Sequence, residues 1–410
     1  MDVPWPSLPA GSTVLISPGS YSGITTVTSV GTAAHPIVVT AFNATNPPTL
    51  TNSVDFQGAA YLQISHVTVQ SPTFAGFVIR RGSHHLVVSD STINGAPSGI
   101  NITDAAGIGH QILRNKINNA VSDGINVDVN SDPSTRTLIS GNTITGSGQH
   151  GIELRGSHYQ VERNVVLASG AARTGGVSGI HVYRGNRTED SGADNLVRYN
   201  ASTATSDPVA ADGNGIQVDQ WCNGNTVAYN LVWGNDGAGI IVYDGDNNVI
   251  EGNTAVGDGL DPGHTHTASL GELIIGASVA GAATGNQAWN NLLTSTRAGV
   301  PGLYIDSRAL AGANAIGVNL YANTASGPRV RWGDGLVLST ASLIDSYAGV
   351  TGSVIDAPSF VNAALPLAGG LRLAAHPTRP GVVPAAGDLD YAGSPVRAGW
   401  YFFGAYFTSP

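Results

Sequence analysis

Gly124-Ile125-Asn126-Val127, Gly151-Ile152-Glu153-Leu154, Gly179-Ile180-His181-Val182 and Gly215-Ile216-Gln217-Val218 repeat one phrase: a glycine, a bulky aliphatic, a variable residue, a second aliphatic. The phrase also stands at Gly76-Phe77-Val78-Ile79, Gly99-Ile100-Asn101-Ile102 and Gly239-Ile240-Ile241-Val242, and more loosely at Gly302-Leu303-Tyr304-Ile305. From Gly76 to Gly239 the glycines are 23, 25, 27, 28, 36 and 24 residues apart, a period in which each repeat is one coil stacked on the last. Side chains alternate along a strand, so both aliphatics face one side and the residue between them faces the other. The reading is a solenoid of short parallel strands around an aliphatic interior.

A second series supports it: Leu113-Arg114-Asn115, Ser140-Gly141-Asn142, Glu162-Arg163-Asn164, Arg198-Tyr199-Asn200, Ala228-Tyr229-Asn230 and Glu251-Gly252-Asn253, with echoes at Asn291 and Asn323. An asparagine at a recurrent corner bonds turn backbone and its own counterpart one coil away. Two strands per coil are expected, one on the glycine phrase and one leading into the asparagine. A leucine-rich repeat would need a leucine grid and helices, and a propeller blade several strands in about 40 residues; neither pattern is present.

Composition agrees. Glycine, at 54 of 410 residues, is about twice its usual frequency but without a triplet period, so it belongs at corners rather than in a collagen-like helix. The net charge of -10 and the single lysine, Lys116, are a poor footprint for nucleic acid. A polyanionic sugar is still accessible to a local arginine patch. Cys222 is alone, so there is no intrachain disulfide framework. No apolar run of about 20 residues inserts into a membrane. Met1 is the only methionine and no basic-then-apolar leader follows it, which reads as the mature region of a secreted protein whose leader is absent.

Three regions are expected. Residues 1–50 make an N-terminal cap and first coil, 51–345 the solenoid, and 346–410 a non-repeating C-terminal cap whose aromatics, Trp400 to Phe407, pack over the last coil. Longer loops at 168–178, 184–194, 201–214 and 257–271 are where a solenoid builds a binding rim.

The opening stretch Leu8-Pro9-Ala10-Gly11-Ser12-Thr13-Val14-Leu15-Ile16-Ser17-Pro18-Gly19-Ser20-Tyr21, then Gly31 to Val39, resembles the first coil of the pectate-lyase-like superfamily of right-handed parallel β-helix carbohydrate-active enzymes. The tail segments Asp356-Ala357-Pro358-Ser359-Phe360 and Gly404-Ala405-Tyr406 resemble it too. The resemblance implies an all-β, single-stranded right-handed parallel β-helix acting on polysaccharide: a lyase, a glycoside hydrolase or a mannuronan epimerase.

The outward positions supply candidate chemistry. One column reads Asn101, Asn126, Glu153, His181, Gln217, Ile241, and the next Thr103, Asp128, Arg155, Tyr183, Asp219, Tyr243, with Asp306 after a gap. At about 4.8 Å between strands, Asp128 to Asp219 span roughly 15 to 20 Å, room for several sugar units. Solvated strands elsewhere in the chain carry Ser, Thr and Asn, so charged and imidazole groups in two columns point to function.

By resemblance to β-helix lyases, His181, Arg155 and Tyr183 take the C5 proton of a uronate or donate to the leaving oxygen. Glu153 and Asp128, with Asn126, suit Ca²⁺ as oxygen ligands bridging to a substrate carboxylate; no organic cofactor is implied. Many such lyases use a lysine base, and Lys116 lies on a different face. Asn101, Arg184, Gln217, Trp221, Tyr243 and Asp306 are candidate substrate contacts. The expected function is a secreted polysaccharide lyase. The alternatives are a glycoside hydrolase or glycosyl-transferring enzyme with Glu153 as acid and Asp128 or Asp219 as its carboxylate partner, then a uronan epimerase or a noncatalytic glycan-binding β-helix.

Two lesser clusters stand apart. Asp258, Asp261, His264, His266 and Glu272 gather around the 257–271 loop, read as a lid rather than a zinc site because no HExxH is present. Asp236, Asp244 and Asp246 suit a cation or turns.

Overall fold

A computed structural model describes all residues except 1–2, 23–24, 106, 210–211, 262–269, 279–282, 365 and 386. The strands stack into three sheets of 12, 13 and 13 strands, parallel except for the last strand of the third, Leu336–Leu338, which pairs antiparallel; each coil contributes one strand to each sheet in turn. Three strands per coil replace the expected two. In one coil these are Leu138–Ser140, Thr143–Thr145 and Ile152–Leu154. The first two are only three residues long with a single inward residue each, Ile139 and Ile144, too short for alternation to separate them in sequence.

The inward residues form one continuous core, with Ile125, Val127, Ile139, Ile144, Ile152, Leu154, Ile180 and Val182 all at 0% exposure. The glycine that opens each phrase is required by close approach. A Cβ at Gly151 would sit 2.2 Å from Val166 Cγ1 and 2.6 Å from the Gly179 carbonyl. Each such glycine lets the chain pass under the strand of the preceding sheet, so the phrase marks packing rather than a turn conformation.

The asparagine corner is a buried ladder. Asn142 accepts from Asn115 N at 2.9 Å and donates to Ile112 O at 2.9 Å and Asn164 Oδ1 at 2.9 Å. The pattern continues through Asn164, Asn200, Asn230, Asn253 and Asn291. The residue before each rung adopts a left-handed conformation, among them Arg114, Arg163, Tyr199 and Tyr229 at φ 53° to 57°, and this turns the chain sharply between the first and second sheets. The ladder ends on Asn319, which accepts from Asn291 N at 2.9 Å. Asn323 instead holds the Arg297 and Val300 carbonyls. A second ladder, Asn195–Asn225–Asn248–Asn286–Asn314, follows the corner before the first sheet.

Trp5 packs against the first coil, and an eight-residue helix, Ala341–Ala348, closes the other end with Ile344 in the core. The C-terminal aromatics do not sit on that end. The tail runs back along the outside of the second sheet. There Phe402 and Phe407 meet Tyr199 and Tyr229, Ala405 and Tyr406 meet Ala201 and Leu231, and Phe403 meets Leu292 and Leu320. Leucines facing outward on that sheet need this cover. Among the described residues no helix is long and apolar enough to cross a membrane.

Candidate active site

The third sheet holds the candidate face. Its register aligns Asn101, Asn126, Glu153, His181, Gln217 and Ile241 in one column, as the phrase predicts. Backbone bonds carry the alignment past the strand ends, from Asp128 N to Ile102 O, Arg155 N to Val127 O, Tyr183 N to Leu154 O and Asp219 N to Val182 O.

At the centre His181 Nε2 lies 3.2 Å from Asp219 Oδ2. Burial opposes charge on this imidazole, but the Asp219 bond and the carboxylates of Asp219, Glu153 and Asp212 outweigh it and raise the pKa. His181 stacks on Tyr183 at 5.3 Å between ring centroids, and the Arg155 guanidinium lies 5.4 Å from the Tyr183 ring on the more open side. Arg155 also faces Asp128 at 3.8 Å.

Two further members of the site, Asp123 and His150, come from a column not considered above: the residue before each repeat glycine, namely Ser98, Asp123, His150, Ser178, Asn214 and Ala238. Three of these side chains cap the backbone of the next coil. Asp123 Oδ1 accepts from His150 N at 3.0 Å, His150 Nδ1 from Ser178 N at 3.1 Å, and Asn214 Oδ1 from Ala238 N at 2.8 Å. Their position relative to the glycine was the signal available in sequence. His150 stacks on His181 at 4.4 Å. Burial and the neighbouring His181 push its pKa well down. Burial and the charge of Glu153 push Asp123 up to about 6. A neutral His150 beside a His181 that holds its proton is the outcome expected of two stacked imidazoles.

His150, Glu153 and His181 each place one ligand atom within 4.8 Å of the others. The set does not fit a metal. Because His150 Nδ1 accepts a backbone N–H, its proton sits on Nε2, which then has no lone pair to offer. His181 Nε2 is engaged by Asp219 while its Nδ1 is buried without a partner, so it is His150 that breaks the set. Nor do the proposed calcium ligands form an oxygen cage: Asp128 faces Arg155, and Asn126 donates to Asn101 Oδ1 at 3.0 Å.

The remaining candidates separate. Gln217 is buried and accepts from Asn214 Nδ2 at 2.9 Å, so it supports the site from behind. Arg184 is 8% exposed and donates from Nε to the Ser191 carbonyl, holding its own loop rather than substrate. Asp306 is 6% exposed and caps a short 3₁₀ helix through Arg308 N. Tyr243 packs with Ile241, Ile274 and Tyr304, an apolar end to the face. Trp221 lies in a turn with Arg187 over its ring at 5.6 Å. Asp244 accepts from Ser278 N and Asp246 from Thr284 N, both serving turns. His264 and His266 lie outside the described residues.

Comparison with known proteins agrees with this architecture. The family model described as right handed beta helix region matches residues 52–202 and 132–300. Among solved structures the chain is similar to the A-module of an Azotobacter vinelandii mannuronan C-5 epimerase, at 13% identity and TM-score 0.51, covering 80% of this chain and 91% of that one. It is similar to a PL6 family polysaccharide lyase from Pseudopedobacter saltans, at 13% identity and TM-score 0.50, covering 95% of each. A periplasmic alginate epimerase aligns at 11% identity and TM-score 0.52, over 83% of this chain and 79% of that one. No curated protein sequence matches the chain. Identities this low speak to the fold alone. With the family model spanning more than half of the 410 residues and the three-sheet stack it describes present throughout, the chain belongs to the right-handed β-helix family.

Proposed function

We propose that this chain is a secreted polysaccharide lyase that cleaves a uronate-containing glycan by β-elimination on the third sheet. The observation that carries the reading is the Asp219–His181–Tyr183–Arg155 row, in which an imidazole held by a carboxylate backs a tyrosine that lies next to a guanidinium. Elimination breaks the C5–H and C4–O4 bonds, forms a C4=C5 double bond and delivers a proton to O4. It needs a cation for the C6 carboxylate and groups that take and give protons. In this reading Arg155 binds the carboxylate, and the Tyr183 oxygen, acting as a phenolate, takes the C5 proton and becomes a phenol as the C4–O4 bond breaks. His181, with its pKa raised, holds the proton that the leaving oxygen receives. His150 and Asp123 brace the row, and no metal takes part. Structural likeness to lyases and epimerases of uronate polymers supports the substrate class without choosing the reaction.

The test is incubation with alginate, polygalacturonate and glucuronan while following the ultraviolet absorbance of the unsaturated uronate. Absorbance that rises in the wild type and vanishes in His181→Ala supports elimination. Reducing ends without absorbance would assign hydrolysis to Glu153 and Asp219 instead, and inverted C5 centres without chain cleavage would assign epimerisation.

A further inference from the structure

The tail that covers the second sheet forms an open cleft of about 600 Å³ on a different face of the prism from the row above. Its walls include Arg372, His376, Ser394, Trp400, Tyr406 and Thr408. The volume is within the range of small-ligand sites. We propose that this cleft is a second binding site, taking a carboxylated sugar unit of the same glycan class; that class rests on the function proposed above.

The polar groups of the wall that are already paired leave a definite remainder. Both Asp390 oxygens are occupied as acceptors, with Oδ1 2.6 Å from Ser394 N and Oδ2 3.2 Å from Phe407 N, so its negative charge stays turned to the backbone. His376 Nδ1 lies 3.1 Å from the Pro377 carbonyl and so carries the proton, which leaves Nε2 as an acceptor. Thr408 is 9% exposed and its Oγ1 is buried with no partner, a hydroxyl that a folded protein rarely leaves unpaired. Arg372 is exposed and has no ion pair among the described residues. Arg397 places a second guanidinium 5.2 Å from the Trp400 ring.

What remains is a guanidinium, an unpaired hydroxyl, an imidazole acceptor and an indole. A pyranose presents hydroxyls that give and take hydrogen bonds and C–H groups that lie on an aromatic ring. A carboxylate on that ring completes the match by pairing with Arg372. Two sites on one polymer raise its effective concentration at the catalytic face.

The test uses the whole chain. In a His181→Ala background, calorimetry with uronate trisaccharides is expected to show two binding events, and neutral glucose trisaccharide none at the tail. Adding Arg372→Gln removes one event by weakening it about tenfold or more, the scale of one charge-assisted hydrogen bond. Thr408→Val, which keeps the shape of the side chain, weakens the same event. In the otherwise wild-type enzyme, Arg372→Gln leaves kcat on a trisaccharide unchanged and raises KM on long polymer. A single binding event that Arg372→Gln and Thr408→Val both leave intact would overturn the proposal, as would equal binding of the neutral sugar. Tail binding without elimination would sink the proposed function and leave this site standing.

Discussion

His181 and Asp219 stand on adjacent coils, 38 residues apart in sequence, with Nε2 and Oδ2 3.2 Å apart. Removing the carboxylate's charge removes the main support for the imidazolium. Asp219→Asn is expected to lower kcat about 10²- to 10⁴-fold, the usual range for a general acid–base group. The alkaline limb of the pH–rate profile, set by a His181 pKa above the ordinary histidine value, should also move to lower pH. A profile that keeps its limb while the rate falls would show that Asp219 serves only packing.

Arg155 is placed to bind a carboxylate, so truncating it should act on substrate binding as well as turnover. Arg155→Ala is expected to raise KM for a uronate polymer about tenfold or more. Arg155→Lys recovers only part of that, because an ammonium cannot form the two-pronged contact. Unchanged kinetics in both variants would remove Arg155 from the site.

The tautomer of His150 argues against a metal in the row. Exhaustive chelation is expected to leave elimination at its full rate, measured in buffer freed of divalent ions. Loss of activity that Ca²⁺ restores would return Asn126, Asp128 and Glu153 to the role expected from sequence.

Asp258 and Glu272 are both buried at 0% exposure at one corner of the stack. Burial raises Asp258 to about 7, and burial together with the Asp258 charge raises Glu272 well above the ordinary carboxylate range. Unfolded carboxyls lose their protons near pH 4. Above that this pair binds more protons in the folded chain than in the unfolded chain, so its contribution to stability is fully present below about pH 4 and is lost as pH rises toward and past 7. Glu272→Gln should flatten this slope and raise Tm by a few degrees at about pH 8, read by thermal denaturation across pH. An unchanged slope would show that the pair does not share a proton.

The asparagine ladder makes its own forecast. Asn200 accepts from Asn164 N and Nδ2 and donates to the Val161 carbonyl and Asn230 Oδ1. Asn200→Ala leaves several buried groups unpaired and is expected to cost about 3 kcal/mol or more in urea denaturation.

Much of the site was legible because a solenoid turns sequence period into spatial adjacency. Residues one place after Ile125, Ile152 and Ile180 had to share a face once the aliphatics faced inward, which put Asn126, Glu153 and His181 together. His150 and Asp123 obey the same period but precede the glycine, and their role depends on which backbone N–H each one meets. Arg184 and Asp306 read in sequence as candidate substrate contacts; local loop geometry turned each to its own backbone.

The chain's sequence therefore determined the period, the inward aliphatics and the columns of the third sheet, because each is set by alternation within three or four residues. Tertiary structure alone decided the rest. The division of a coil into three strands depends on left-handed corners such as Arg163 and Tyr199; the asparagine after each marks the corner in sequence but not the short strand beyond it. The tautomer of His150 and the charge of His181 depend on atoms one coil away. The tail finds its place through bonds such as Ala405 N to Thr254 Oγ1, 151 residues apart, where leucines facing outward on the second sheet needed cover and local sequence had no means of saying what would supply it.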